Sequence, residues 1–230
     1  MSNVELKNDT SLADFLAGWS KGLKESELIK VAYAVIGLTN YGERPVPSTR
    51  LAEALGRSVS EAEALARRWG PPETRVEDGH IFLNPERAKS APRRQAQVGD
   101  RRFGLTGCAP DAFLYAPLLR PSLLLEETCT TTGTPMRIEF TPNGVERVDP
   151  SSIVVPMLPA QAIEQTTRMT MEEIDANLCV QAPFFSSAEA AHGWLAAYPG
   201  GRVFPVREAW DLSFLRAWRD KMSALLNLDT

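Results

Sequence analysis

The sequence predicts an α+β fold in two parts, a winged helix-turn-helix-like domain over residues 1–84 and a mixed α+β domain over residues 101–230. Apolar residues recur at helical spacing between Ser11 and Asn40, which predicts two amphipathic helices. The turn sequence Glu77-Asp78-Gly79 separates two short apolar segments and predicts a hairpin. Short strand-like segments dominate after residue 100, so the second part is predicted to contain a sheet.

The remaining N-terminal elements complete the order of a winged helix. Ser48 is predicted to cap a short helix over residues 49–55. Ser58 or Ser60 is predicted to cap a further helix, which ends at Trp69, before a Gly-Pro-Pro sequence. The hairpin follows these helices, as the wing does in that fold.

The segment 85–100 is rich in proline, alanine, glutamine and charge and has no hydrophobic periodicity, which predicts a linker or a long ordered loop. The capping-box pair Ser186 and Glu189 predicts the start of a helix in the second part. The predicted strands there are 102–105, 122–126, 137–141, 145–148, 153–158, 177–182 and 203–207. The predicted helices are 110–119, 187–197 and 210–226.

Charge and hydropathy exclude several classes of protein. The chain has 230 residues, with 25 Lys and Arg against 29 Asp and Glu, and its net charge of -4 gives it no overall attraction for nucleic acid or an anionic membrane. The longest apolar run, 31–38, is far shorter than the roughly 18 residues of a membrane span, and the first residues are polar. We therefore expect a cytoplasmic protein without a membrane partner, whose three cysteines form no disulfide framework.

Cys108 and Asp111 form the segment with the most chemical content. Pro110 suits the first position of the predicted helix, which places Cys108 at its N-terminal end and Asp111 in its first turn. A helix N-terminus stabilises a thiolate, whereas a neighbouring carboxylate favours the protonated thiol or shares its proton. Such a pair suits a site where a proton moves during a reaction. The alternative, a buried cysteine and an aspartate that only complements the helix dipole, is favoured by spacing alone.

The other candidate groups have less specific surroundings. Cys129 and Cys179 lie in apolar or turn contexts that favour core packing, and neither they nor His80 and His192 have zinc-ligand spacing. Arginines lie on and beside the last two helices of the N-terminal part, but glutamates alternate with them, as on a solvated surface. Binding to DNA is therefore not expected.

The order of residues around the cysteines carries a family resemblance. Cys108-Ala109-Pro110-Asp111 precedes an apolar helix, Cys129-Thr130-Thr131-Thr132-Gly133 follows, and Cys179 precedes Phe184-Phe185. This order resembles the organomercurial (alkylmercury) lyases. In that family a C-x-x-D motif contains a catalytic cysteine and an aspartate, a C-x-x-T-G segment follows a strand, and a second catalytic cysteine precedes a Phe-Phe pair. The resemblance extends from about Arg101 to Trp218, and more weakly over 44–69.

The resemblance implies protonolytic cleavage of a carbon-mercury bond, which yields a hydrocarbon and Hg(II), as in mercury detoxification. It implies that Cys108 and Cys179 bind mercury, that Asp111 lies beside the metal and delivers the proton, and that Cys129 is structural. Mercury is soft and prefers thiolate ligands, and two thiolates push electron density onto the carbon. No cofactor is implied. Cytosolic thiols, or a mercuric reductase, would accept the Hg(II).

Two alternatives stay open: a winged-helix transcriptional regulator that responds to a soft metal, and a family relative that binds an organometal without cleaving it. The chain also departs from the family pattern. Gly107 stands where an aromatic residue is common, and Val180, Gln181 and Pro183 stand where some members have a second cysteine and histidines. These departures affect the expected substrate preference and pocket shape.

Overall fold

The structure, a computed structural model, describes residues 11–85, 94–105, 107–165, 169–170, 173–174 and 181–227. Over these residues the chain combines a helical N-terminal part, a five-stranded antiparallel sheet and two smaller sheets. The predicted α+β class is confirmed. None of the described helices is long and apolar enough to cross a membrane.

Two consecutive helices begin the described chain, α1 (Leu12–Glu25) and α2 (Glu27–Thr39). Serine side chains cap both: Ser11 accepts a hydrogen bond from the Asp14 N–H, and Ser26 accepts one from the Ile29 N–H. Helix α1 is amphipathic, as predicted. For α2 the amphipathic prediction is wrong, because every residue from 31 to 39 is buried. This helix packs against the next two helices, the hairpin and the C-terminal helix, so it has no solvated face of any width.

The next elements are two helices and the three strands of a small sheet. They are β1 (Val46–Pro47), α3 (Ser48–Leu55), α4 (Val59–Trp69), β2 (Thr74–Glu77) and β3 (His80–Leu83), and their strands form a sheet in the order β1-β3-β2. Ser58 caps α4 in a capping box with Glu61, one of the two caps predicted. The prediction that Ser48 caps α3 is wrong. Its side chain is buried inside the first turn, and Pro47 occupies the cap position.

The main sheet contains β4 (Arg94–Val98), β5 (Arg101–Leu105), β6 (Leu123–Thr128), β7 (Pro135–Thr141) and β8 (Gly144–Asp149), in the order β5-β4-β6-β7-β8. The predicted linker 85–100 is therefore wrong over 94–98. Strand β4 lies between β5 and β6, and Arg94, Ala96 and Val98 face the core. The sequence hides this strand because a buried arginine and two outward glutamines resemble the composition of a loop.

The rest of the described chain is α5 (Asp111–Tyr115), a 3-10 turn (Ala116–Leu118), β9 (Val154–Met157), α6 (Ala160–Gln165), α7 (His192–Ala197), β10 (Arg202–Pro205), α8 (Val206–Trp210) and α9 (Ser213–Leu226). Helix α6 was not predicted. The helix predicted over 187–197 begins only at His192, so the capping box of Ser186 and Glu189 is wrong. The helix predicted over 210–226 is interrupted between α8 and α9. Most of the predicted strand 177–182 lies outside the described residues.

The hydrophobic core is continuous between the N-terminal helices and the sheet. Long-range hydrogen bonds join the same two regions. The Trp19 indole N–H donates to the Leu158 carbonyl at 2.9 Å, and the Arg101 guanidinium donates to the carbonyls of Asn40 and Tyr41. The helices are thus packed directly against the part of the chain that contains Cys108.

Candidate active site

Cys108 and Asp111 meet in the short loop between β5 and α5. Asp111 is the first residue of α5, after Pro110 at the cap position, and its Oδ2 accepts a hydrogen bond from the Cys108 N–H at 2.7 Å. The carboxylate thus turns back onto the loop that carries the thiol. Both residues are partly exposed, so the groups that the sequence placed together remain accessible to a ligand.

Gly107 has a structural reason to lack a side chain. Its φ is +101°, a conformation that L-residues other than glycine rarely adopt. A Cβ built on Gly107 would lie 2.7 Å from Asp111 Oδ2, closer than real Cβ contacts. The glycine therefore allows the carboxylate to approach the Cys108 N–H.

An apolar cavity of about 140 Å³ opens beside this loop. Cys108 and Asp111 contribute to its wall, and most of the remaining wall is hydrocarbon or aromatic ring. The helices α1 and α2 supply much of it, through Trp19, Leu23, Leu28, Ile29, Ala32, Tyr33 and Ile36. A thiol and a carboxylate on the wall of an apolar cavity can act on an organic group held there.

Tyr33 is a polar group of this site that the sequence analysis missed. Its hydroxyl donates a hydrogen bond to Asp111 Oδ1 at 2.7 Å, across 78 positions of sequence. Asp111 thus accepts hydrogen bonds through both of its oxygens. The signal in the sequence is slight: Tyr33 is the polar-tipped residue within the apolar run 31–38.

Arg94, on strand β4, holds the backbone of the Cys108 loop by a hydrogen bond. Its Nη1 donates to the Cys108 carbonyl at 3.2 Å, and its Nε donates to Glu127 Oε2 at 2.8 Å. Burial lowers the pKa of Arg94, but the charge and hydrogen bond of Glu127, together with Tyr115 and Cys108, outweigh burial and raise that pKa above its ordinary value. The buried guanidinium therefore stays charged.

Cys129 lies apart from the cavity, with only 1% of its surface exposed, which agrees with the predicted core position. Its surroundings are nevertheless polar. Burial raises the pKa of the Cys129 thiol, but hydrogen bonds from Ser186 and Thr132 outweigh that effect and lower the pKa to about 6. Sequence reasoning missed this pKa shift, because only the tertiary fold brings Ser186 to Cys129.

Cys179 lies outside the described residues. The chain is described again from Gln181, and Ala182 belongs to the cavity wall. The carbonyl of Ala182 accepts a hydrogen bond from the N–H of Ala109 at 2.7 Å. In the part of the chain that the structure describes, no group of three or more His, Cys, Asp or Glu side chains could hold a metal ion, and His80 and His192 are exposed.

Comparison with known proteins identifies the family. The model of the alkylmercury lyase (MerB) family matches residues 93–218, more than half of the chain. The chain belongs to the alkylmercury lyase family. The matched region contains Cys108, Asp111, Cys129 and Cys179, and it begins at the strand β4 that supports the Cys108 loop.

Individual relatives agree with this membership. The alkylmercury lyase of Bacillus cereus is 33% identical over 120 residues, which cover 52% of this chain and 51% of that protein, so the match spans about half of that relative. The alkylmercury lyase of Streptomyces lividans is 29% identical over 189 residues, 81% of this chain and 80% of that protein. The crystal structure of the mercury-bound form of MerB2 matches 92% of this chain and 100% of its own, with a TM-score of 0.55 and 18% identity, and so shares the fold.

Proposed function

We propose that this protein is an organomercurial lyase, which cleaves a carbon-mercury bond by protonation and releases a hydrocarbon and Hg(II). One observation carries the proposal: the Asp111 carboxylate is hydrogen-bonded to the Cys108 N–H on the wall of an apolar cavity. Membership of the alkylmercury lyase family supports the same activity. In this proposal Cys108 and Cys179 bind mercury, and Asp111 delivers the proton.

The chemistry balances with these three groups and no cofactor. The organomercury cation and two cysteine thiols give the hydrocarbon, Hg(II) bound by two thiolates, and one proton released to solvent. As a thiol binds mercury its proton passes to Asp111, and Asp111 then protonates the carbon while the carbon-mercury electron pair becomes the new C–H bond. Two thiolates raise the electron density on that carbon because sulfur is a soft, strongly donating ligand for mercury.

The position of Ala182 supports the role of Cys179. Ala182 is three residues after Cys179, and its carbonyl is hydrogen-bonded to the residue that follows Cys108. Ala182 itself belongs to the wall of the cavity that Cys108 lines. This short separation in sequence is compatible with two thiols that share one mercury atom.

The cavity supports an organic group of moderate size. An apolar cavity of about 150 Å³ is large enough to bind benzene. The volume of about 140 Å³ beside Cys108 therefore suits a short alkyl or a phenyl group, whereas the mercury faces the thiol side. Phenylmercury is for this reason the first substrate to test.

The product Hg(II) needs an acceptor after the reaction. Cytosolic thiols would exchange with the two cysteines and remove Hg(II), and a mercuric reductase is a suitable acceptor, which implies a cytoplasmic enzyme. The element order α2-β1-α3-α4-β2-β3 supports a winged-helix-like N-terminal domain. Several arginines of this region pair with acidic residues, among them Arg57 with Glu27 and Arg67 with Glu63, which argues against DNA binding.

The test is incubation of the purified protein with phenylmercury and excess thiol. We expect benzene well above the background of thiol alone, and no benzene above background from Cys108→Ser or Cys179→Ser, each of which should stay folded. Absence of benzene from the unmodified protein would refute lyase activity. Stoichiometric retention of phenylmercury in that case would identify a binding protein, and a mercury-dependent shift of a DNA duplex from the surrounding genome would identify a regulator.

Near-normal rates from either serine variant would refute the two-thiol mechanism. Cys129→Ser is the matched control, because this third cysteine does not line the cavity. It should retain measurable turnover in a folded protein, even where it lowers stability.

A further inference from the structure

We infer that Tyr33 is a positioning residue for Asp111, so that the N-terminal helix α2 completes the proton-delivering part of the site. The inference rests on the proposed function for its chemistry. Its geometry rests on one hydrogen bond, from the Tyr33 hydroxyl to Asp111 Oδ1 at 2.7 Å.

The tyrosine ring is held firmly by its neighbours. Tyr33 is 7% exposed, and its ring stacks on Tyr115, with centroids 6.2 Å apart, and meets the edge of Trp218 at 5.8 Å. These contacts define where the hydroxyl points. A donor held in this way loses little entropy when it binds the carboxylate, so the Asp111 orientation is set before any substrate enters.

The two hydrogen bonds act on different oxygens of Asp111. The Cys108 N–H reaches Oδ2 and the Tyr33 O–H reaches Oδ1, which together define both the position and the plane of the carboxylate. Each carboxylate oxygen has a second lone pair, so one proton can still be carried toward the cavity. Loss of the Tyr33 hydroxyl would remove the hydrogen bond that orients Oδ1.

The Tyr33 hydroxyl also stabilises the negative charge that develops on Asp111 during the reaction. When Asp111 gives its proton to carbon, negative charge appears on the carboxylate, and a donor already in place strengthens its hydrogen bond as that charge grows. Such an interaction is stronger in the transition state than in the ground state and so increases the rate of the chemical step. Tyr33 keeps its own proton throughout and forms no bond to the substrate.

Tyr33 lies outside the region 93–218 that the family model matches. The region matched by the family model therefore contains Cys108 and Asp111, but not helix α2, which supplies the second hydrogen bond to the Asp111 carboxylate. Since α2 also supplies much of the cavity wall, this helix sets the geometry of both the acid and the organic group.

The test uses Tyr33→Phe, which keeps the ring and removes only the hydroxyl. With phenylmercury and excess thiol we expect kcat to fall by about tenfold to a hundredfold while KM changes by less than about twofold. The variant should still bind one Hg(II) per protein. An unchanged kcat, or a rise in KM that accounts for the whole effect, would overturn the inference.

Thr39→Val is the matched control. Thr39 is a fully buried hydroxyl residue on the same helix, it donates to the Val35 carbonyl, and valine has nearly the same shape. This variant should lose stability but keep kcat, because it does not contact Asp111 or the cavity. A kcat for Thr39→Val as low as that of Tyr33→Phe would show that any weakening of α2 slows the enzyme and would refute a specific role for Tyr33.

A second measurement, of thermal stability, tests the inference without using enzyme activity. We expect the losses in Tm of Tyr33→Phe and Asp111→Ala to be non-additive, so that the double variant loses clearly less than the sum of the two single losses. Additive losses would overturn the positioning role. If the unmodified protein forms no benzene, the proposed function fails, whereas this cycle still reports whether Tyr33 holds Asp111.

Discussion

Arg94 and Glu127 form a buried ion pair between neighbouring strands of the main sheet, with Nε and Oε2 2.8 Å apart and side chains only 3% and 2% exposed. The same guanidinium donates to the Cys108 carbonyl. Stability and the placement of the candidate catalytic loop therefore depend on one side chain.

Arg94→Met should lower the free energy of unfolding by about 3–5 kcal/mol, because it leaves the Glu127 carboxylate buried without its partner. The double variant Arg94→Met/Glu127→Leu should recover much of that loss, since both charges are then removed. Urea denaturation of the three proteins measures the difference. A loss no smaller in the double variant than in the single one would contradict the role assigned to the ion pair.

Gly107→Ala should lower both stability and activity. The positive φ costs about 1–2 kcal/mol with any L-side chain, and the new methyl group would displace the Asp111 carboxylate from the Cys108 N–H. The control is Gly56→Ala, where φ is +64° and no atom lies within 4 Å of the added Cβ. Both variants should lose stability in urea, with the larger loss in Gly107→Ala, and only Gly107→Ala should lose its benzene-forming rate. Equal rates in the two variants would argue against the contact.

Stability should depend on pH through Cys129. Burial raises the pKa of this thiol, but the hydrogen bonds from Ser186 and Thr132 have the larger effect. They lower the pKa from an ordinary value of 9.0 to about 6. The lowered pKa stabilises the folded protein fully above pH 9, and this contribution falls as pH decreases from 9 to 6. The urea midpoint of the wild type, relative to that of Cys129→Ala, should therefore be largest near pH 9. A difference that does not change with pH would show that the folded thiol is not ionised.

Filling the cavity should change substrate preference. Ala32 lies on α2 in the cavity wall and is almost fully buried, so Ala32→Leu places a larger side chain where the organic group is expected to bind. We expect KM for phenylmercury to rise at least tenfold, with a much smaller change for methylmercury. Leu28→Ala removes side-chain volume from the same wall and enlarges the cavity, so it should not raise KM for phenylmercury relative to KM for methylmercury. If both substrates are affected alike by Ala32→Leu, the organic group binds elsewhere.

Local elements were predictable because their signals lie within a few residues. The cap of α4 by Ser58, the turn at Asp78-Gly79 and the proximity of Cys108 to Asp111 each depend on backbone geometry over two to four positions. The α+β class followed from hydrophobic periodicity, and the family from the order of the cysteine motifs. The sequence by itself therefore determined the class, the family and the thiol-carboxylate pair.

Only the tertiary structure decided what surrounds that pair. Strand β4 is polar in sequence, and pairing with β5 and β6 alone explains why Arg94 is inside. Tyr33 reaches Asp111 across 78 positions, and Ser186 reaches the surroundings of Cys129 from 57 positions away. These contacts depend on how helices and strands pack, which is set by the sum of many weak apolar contacts over the whole core rather than by any local pattern.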